Sequence, residues 1–427
     1  MKAGCEEFIV QCALPYYDDP LVLVKGQGAL VVDSEGREYL DLFSGIVTTA
    51  LGHCHPEVVE AIQEQAAVLG HTSTLYLTEH QVEMARRLAK IAPGRLKKTF
   101  FTNSGTEAVE TALMLACMYT GRSEIVALRY SYSGRSVLAT NLTGQAPWRP
   151  LPSAIPGIKH TVSPYPYRCP FRSPCDETCL DAFARDLEDV ILTTTTGKPA
   201  AFFAETILGA GGYIVPPPGY FQRMAEIIHG YGGLFICDEV QAGFGRTGEK
   251  WFGIEHWGVE PDIIVMAKAI ANGFPVGATI TRDEISAAWT GKTISTFGGN
   301  PVAMAAGIAT NEVMVRENVP ARSAERGRQL RRGLEGLQQE HDWIGDVRGM
   351  GLMQALELVD DRAQKTPSPE KAKLFMEATK EERLLVGLGG LHSQVIRLGP
   401  SMLVTEDEVD AALGRLERAC RRVERQL

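Results

Sequence analysis

No stretch of the 427 residues approaches the run of about 20 apolar residues that a membrane-spanning helix needs. The N-terminal MKAGCEEFIVQCALPYYDDP carries acids where a secretory leader carries bases, and its apolar part is short and interrupted. The chain is therefore expected to begin near Met1 and to stay in the cytoplasm. Positive charge is in deficit: 43 Lys and Arg stand against 52 Asp and Glu, a formal charge of −9. That balance disfavours nucleic acid or an anionic membrane as partner, although a local basic patch survives any average. Internal repeats and low-complexity tracts are also missing. So is a disulfide framework, because the nine cysteines are odd in number and scattered along a long chain, which points to reduced thiols. The densest group, Cys169, Cys175 and Cys179 in YRCPFRSPCDETCLD, has neither gap at the two residues of a zinc knuckle. It reads as a loop with incidental cysteines. No metal site is expected, and stoichiometric zinc in protein purified without added metal would overturn that.

What is present is an ordinary globular composition, 44% hydrophobic and 22% charged, in a chain long enough for about two or three domains. The middle alternates short apolar runs with amphipathic stretches, the pattern of βαβ units and a mainly parallel sheet. Expected strands are 97–101, 124–129, 200–205, 233–239, 262–267 and 277–281, with helices over 105–119 and 220–232. Several strands are apolar at every position, as strands covered on both faces are. The proline- and aromatic-rich segment 140–180 has no helical period and reads as a long surface excursion, ordered near a site or interface. Beyond about 300, charged helices (321–341, 406–426) alternate with strand-like pieces (353–359, 394–398), the texture of a smaller α+β domain. The segment 29–45 resembles a hairpin turning at Ser34-Glu35-Gly36 and is expected to join that smaller domain in space.

Three features carry chemistry. Lys268, in PDIIVMAKAIANGFP, directly ends an apolar strand. Burying an ammonium ion is costly and lowers its pKa, and a neutral amine is the nucleophile that forms imines with aldehydes. Position alone describes equally a lysine whose head snorkels to solvent. Asp238 ends the apolar run GGLFIC thirty residues earlier, about one strand–crossover–strand unit, so the two side chains could meet beyond the carboxyl ends of parallel strands. A carboxylate there could hold a pyridine nitrogen protonated while the lysine holds an aldehyde; a bare buried ion pair is the plainer alternative. The third feature is FFTNSGTEAVETAL, where Ser104, Gly105 and Thr106 open a helix whose free amides make a natural phosphate site, or where Ser104 simply caps it. The glycines of GFGRTG match G-x-G-x-x-G, but they lie five residues past the strand end and open no clean helix, so a dinucleotide site is rejected.

With these residues in view, the chain resembles the class III (subgroup II) aminotransferases of pyridoxal-phosphate fold type I over essentially its whole length, and among them the alanine–glyoxylate aminotransferase 2 group. The resemblance rests on YLDLFSGIVTTALGHCHPEV, FFTNSGTEAVE, AAFFAETILGAGGYIVPP, CDEVQAGFGRTG, PDIIVMAKAIANGFP, STFGGNP, VRGMGLM and VIRLGPSM. It implies an α/β fold: a large domain with a mainly parallel seven-stranded sheet covered by helices, and a smaller α+β domain. Implied boundaries are 1–55 for an N-terminal segment joining the smaller domain, 56–305 for the large cofactor-binding domain and 306–427 for the smaller one. The resemblance implies pyridoxal 5′-phosphate held by Lys268 as a Schiff base, Asp238 on the pyridine nitrogen, and Ser104, Gly105 and Thr106 on the phosphate. Tyr132 and Val240 would cover the ring's two faces, with Gln241 near its phenolic oxygen and Glu205 beside it. Thr296 would reach the phosphate of the other subunit, in a homodimer or tetramer. Arg397 would clamp a substrate carboxylate, a task suited to a guanidinium, and Ile46 and parts of 140–180 would wall the pocket.

Two departures bear on substrate. The family often has aromatic-His-Gly where this chain reads Tyr132-Ser133-Gly134. Members acting on γ- or δ-amino acids usually carry a glutamate that masks the clamp arginine, where this chain has Ala210. The expected activity is ping-pong transfer of an amino group from an alanine- or β-alanine-like donor, or a simple amine, to a keto acid such as pyruvate or glyoxylate. Rival outcomes on the same Lys and Asp are those of phospho-lyases, racemases and decarboxylases; a non-catalytic binding domain on the same fold is a further rival.

Overall fold

Seven strands form one sheet in the spatial order Lys98–Thr102, Gly277–Thr281, Ile263–Met266, Leu234–Asp238, Ala201–Glu205, Ile125–Leu128, Ile158–Thr161. The computed structural model describes residues 2–427 apart from 11, 13–15, 153–154, 172–174 and 176–177. The five strands from Ile263–Met266 to Ile158–Thr161 pair in parallel; Gly277–Thr281 runs antiparallel to both of its neighbours. The fold is the α/β arrangement expected.

Two-residue periodicity sorts the sheet's side chains to its faces. Ala201 and Phe203, Leu234 and Ile236, and Ile263 and Val265 share one cluster with Ala108, Val109 and Ala112 of helix Gly105–Thr120. Phe202, Phe235, Cys237 and Ile264 pack on the other side with Phe183 and Leu187 of helix Thr178–Thr194 and Phe221 and Met224 of helix Tyr220–Gly230. Each such aromatic or aliphatic side chain contributes about 1.5–3 kcal/mol by leaving water. The same parity continues to the strand ends, so Glu205 and Asp238 fall on the face of helix Gly105–Thr120 while Glu239 falls on the opposite one.

An antiparallel sheet of Ile344–Met350, Met353–Asp361, Val395–Leu398 and Gly387–Gly389 carries the charged helices Val319–Glu340, Pro369–Glu381 and Glu406–Glu424. The N-terminal hairpin is present as Leu30–Asp33 and Glu38–Asp41, with Asp33 Oδ1 accepting from the Glu35 and Arg37 amides at 2.9 Å. Glu38–Asp41 pairs with Leu384–Leu385, which joins the early segment to the C-terminal part. The boundary expected at 305 falls inside helix Pro301–Arg316, which packs on helix Pro56–Val68 and on the turn after Met266.

The 140–180 segment departs from a plain surface excursion. Its parts at 153–154, 172–174 and 176–177 lie outside the described residues, but Ile158–Thr161 adds an edge strand to the parallel sheet and Tyr165 is buried. Four residues between prolines are too short to show a strand period. The segment is anchored by the fully buried Glu357, which accepts hydrogen bonds from Tyr165, from Arg168 at 2.5 Å and from Arg348 at 2.6 Å. Burial alone would raise the Glu357 pKa, but Arg348 and Arg168 outweigh it and hold the carboxyl below its usual range. A depressed folded-state pKa contributes stability above the unfolded value and loses it as pH falls through the folded one. Glu357→Ala, which takes the buried carboxylate from Arg168 and leaves Arg348 with Asp346, should therefore cost about 3–5 kcal/mol in denaturant unfolding at pH 7. The deficit should shrink below about pH 4, near the glutamate value, and a deficit that grows on acidification would contradict the network.

Candidate active site

The three adjacent parallel strands Ala201–Glu205, Leu234–Asp238 and Ile263–Met266 end at one place. Glu205 and Asp238 are register partners across the first pair, and Lys268 follows Met266 by two residues. All three line a cavity of about 190 Å³ together with Gly105, Thr106, Tyr132, Val240 and Gln241. One Asp238 oxygen accepts from the Val240 amide at 3.0 Å. Glu205 accepts from the Tyr132 and Gly209 amides, both at 2.8 Å. Burial pushes the Asp238 carboxyl up, opposed by that amide and by Lys268. Burial and then the charge of Asp238 push Glu205 up as well. Burial lowers Lys268 against the pull of both acids, so the sheet end holds an amine biased toward its neutral, nucleophilic form. Lys268 also sits in the left-handed region at φ 51°. A non-glycine residue there is strained by about 1–2 kcal/mol and marks a functional site more often than a structural one.

Opposite the lysine, helix Gly105–Thr120 begins at Ser104, whose hydroxyl accepts from the Glu107 amide at 3.2 Å. The helix amides of Gly105 and Thr106, which open the first turn, find no acceptor among the described residues; they point the positive end of the helix at the cavity. Ser104 itself caps the helix and is not among the lining residues. Gly134 sits at φ 129°, and a Cβ there would come within 2.5 Å of Thr106 Oγ1, so only glycine lets this turn close over the helix start. Tyr132 meets Trp148 edge-on, with ring centroids 5.4 Å apart. Trp148 brings the 140–180 segment to the site and was not singled out in the sequence; its only signal was an aromatic among prolines.

Arg397, Ile46 and Thr296 lie outside that cavity's lining. Arg397 is 4% exposed, donates to Leu388 O at 2.7 Å and Gly209 O at 3.3 Å, and lies over the Phe43 and Tyr213 rings. Among the described residues no carboxylate pairs with it. Ile46 is 45% exposed in a left-handed turn at φ 65°, and Thr296 is exposed on this protomer.

Known proteins share both sequence and structure with this arrangement. The profile of the family described as aminotransferase class-III matches residues 14–420. The chain belongs to that family. It is 42% identical over 406 residues, 95% of this chain and 84% of the other, to the mitochondrial alanine–glyoxylate aminotransferase 2 homolog 2 of Arabidopsis thaliana. Among solved structures it is similar to an (S)-enantioselective omega-transaminase from Thermomicrobium roseum (TM-score 0.91, 32% identity, 99% and 97% of the two chains). It is similar as well to a phospholyase from Arthrobacter in complex with phosphoethanolamine (TM-score 0.92, 29% identity, 98% and 99%). The enzyme is a pyridoxal-phosphate-dependent aminotransferase.

The cavity of this aminotransferase fits the cofactor on its own evidence. Gln241 Oε1 and Ser133 Oγ are buried without a hydrogen-bond partner, which is costly unless a ligand satisfies them. The free amides suit a phosphate, the buried acid a ring nitrogen, and the lysine an aldehyde. Two buried ionisable groups nearby escaped the sequence reading. Glu239, pushed up to about 7 by burial, accepts from Thr206 Oγ1 at 2.9 Å and from the Gly253 and Ile254 amides at 2.9 and 2.7 Å. It locks the back of the site, as its strand parity requires. Arg246, inside the rejected GFGRTG match, bonds the Pro400 and Leu352 carbonyls. There Gly248 permits close packing, since a Cβ would meet the Ala324 backbone at 2.9 Å. Because Lys268 holds a positive φ, cofactor-free Lys268→Gly should be more stable than cofactor-free Lys268→Ala by about 1 kcal/mol. Equal or reversed denaturation midpoints for the two variants would contradict the left-handed backbone.

Proposed function

We propose that the aminotransferase takes a short amino acid such as alanine or β-alanine as donor and passes its amino group to pyruvate or glyoxylate. The observation that carries this reading is Arg397, a buried guanidinium held by carbonyls and aromatic faces with no acid beside it among the described residues. Ala210 offers no carboxylate here, its backbone carbonyl accepting from Gly390 at 2.9 Å, so among the described residues no acid competes with a substrate carboxylate for the cation. The Arabidopsis relative, named for alanine and glyoxylate, supports the same substrates.

Pyridoxal phosphate, when bound, supplies the aldehyde that accepts the donor amine and an electron-poor ring that takes up the pair left at the donor's α-carbon. Lys268 would hold that aldehyde through Nζ, and the same amine, once free, would move a proton to and from the donor's α-carbon as general base and acid. Asp238 holds a proton on the ring nitrogen. Tyr132 and Val240 would confine the ring between them, the Gln241 side-chain NH2 would donate to its phenolic oxygen, and Glu205 orients the Tyr132 turn through the 2.8 Å bond from its amide. Gly105, Thr106 and the Ser104 cap seat the phosphate. Thr296, exposed on its own protomer, serves the neighbouring site in a homodimer. Ile46 borders the donor's entry.

A second reading is elimination of phosphate, favoured by the similarity to the Arthrobacter phospholyase. A panel of alanine, β-alanine, 4-aminobutyrate, ornithine, simple amines and phosphoethanolamine, each with and without pyruvate, glyoxylate or 2-oxoglutarate, separates the two. Turnover of alanine or β-alanine that requires a keto acid is expected. Preference for ornithine or 4-aminobutyrate, or phosphate release without an acceptor, would contradict the proposal. Lys268→Ala should abolish turnover and the near-visible absorbance. Arg397→Leu should raise KM for alanine about 10- to 100-fold, the loss of about 1.5–3 kcal/mol from bonds to a charged group, while amines without a carboxylate keep theirs.

A further inference from the structure

Spacing argued against a metal at Cys169, Cys175 and Cys179, yet the fold gathers their three sulfurs within 4.8 Å of one another. Cys179 lies in the first turn of helix Thr178–Thr194, and Cys175 precedes it by four residues, ahead of the helix. Cys169 follows the short turn Pro166–Arg168 and places its sulfur 3.7 Å from that of Cys179. A disulfide needs about 2.05 Å and consumes two sulfurs, leaving the third unexplained. Thiolates at about 2.3 Å around one tetrahedral zinc ion stand about 3.8 Å apart along each edge. The Cys169–Cys179 separation of 3.7 Å matches that edge, and the third sulfur lies within 4.8 Å of both. Among the described residues no other trio of His, Cys, Asp and Glu side chains converges in this way.

We propose that Cys169, Cys175 and Cys179 form a three-thiolate site for a soft divalent cation, zinc, with the fourth corner open to water. Cys179 is buried while Cys169 and Cys175 are partly accessible, so the ion has a way in and a water has room to complete the tetrahedron. Cys175 borders a cavity of about 460 Å³ whose wall carries Arg331, Arg348 and Lys365 against the single acid Asp346. That wall suits a centre in which three thiolates around a dication leave one negative charge. Without an ion, burial and then the neighbouring thiols push the Cys175 thiol up, so binding would release protons. The site would act as a clip: it ties the stretch carrying Tyr165 and Arg168, both bound to Glu357, to a helix packed on the sheet core. The familiar spacing rule misses it because that rule describes a two-residue knuckle, whereas here a helix start supplies the convergence.

The test uses the holoenzyme produced with zinc in the medium, passed through a chelating resin and measured for metal. About one zinc per chain is expected, retained in Cys5→Ser and lost in Cys169→Ser and Cys175→Ser. These two partly accessible positions separate metal binding from the packing that a change at buried Cys179 would disturb. Cobalt added to chelator-treated protein should give tetrahedral ligand-field bands in the red, clear of the cofactor's absorbance. Metal-free wild-type protein, zinc that survives in both variants, or a Cys169–Cys179 disulfide found by mass spectrometry would each overturn the proposal. None of these outcomes bears on the transamination reading, which stands on other residues.

Discussion

Two carboxylates and an amine removed from water at the end of one parallel sheet govern much of what surrounds them. Glu205, Asp238 and Lys268 sit on three neighbouring strands whose interiors are buried throughout. Isolated, each charge would be expensive to bury. Together they offset one another, and amides from Tyr132, Gly209 and Val240 tie the two acids in place. The compensation is incomplete by design: the acids are biased toward protonation and the lysine toward neutrality. A cofactor with a basic ring nitrogen and an aldehyde completes it.

The same logic recurs at greater distance. Arg397 is buried over two aromatic rings with carbonyls but no counter-ion among the described residues, and a substrate carboxylate would supply the missing charge. Glu357 shows the opposite solution, an acid paired with Arg348 and Arg168 and further bonded by Tyr165 and Gln394, so that it organises a segment. At the sheet end the open charges line the cavity, whereas the closed network around Glu357 is structural. Glu239 belongs with the second kind although it adjoins Asp238, because strand parity turns it to the other face of the sheet.

How much of this was legible depended on whether the signal was local. The strand ends at Asp238 and Lys268 and the helix start at Ser104 show in a few consecutive residues, and the structure brings them to one cavity with only the capping Ser104 set back from its lining. The edge strand Ile158–Thr161 was hidden because four residues between prolines carry no period. Trp148 against Tyr132, the buried Arg246 and the convergence of three cysteines depend on residues far apart in sequence or on a turn's direction, which spacing alone does not encode. The left-handed backbone at Lys268 was equally invisible, since no composition rule predicts it for a lysine.

The central claim is that Lys268, among all the lysines, is where the cofactor is attached. Borohydride reduction of the holoenzyme followed by peptide mass spectrometry tests it most directly. The pyridoxyl mass should appear on the peptide containing Lys268 and on no other lysine at comparable occupancy. A stoichiometric adduct elsewhere, with the Lys268 peptide unmodified, would contradict the account.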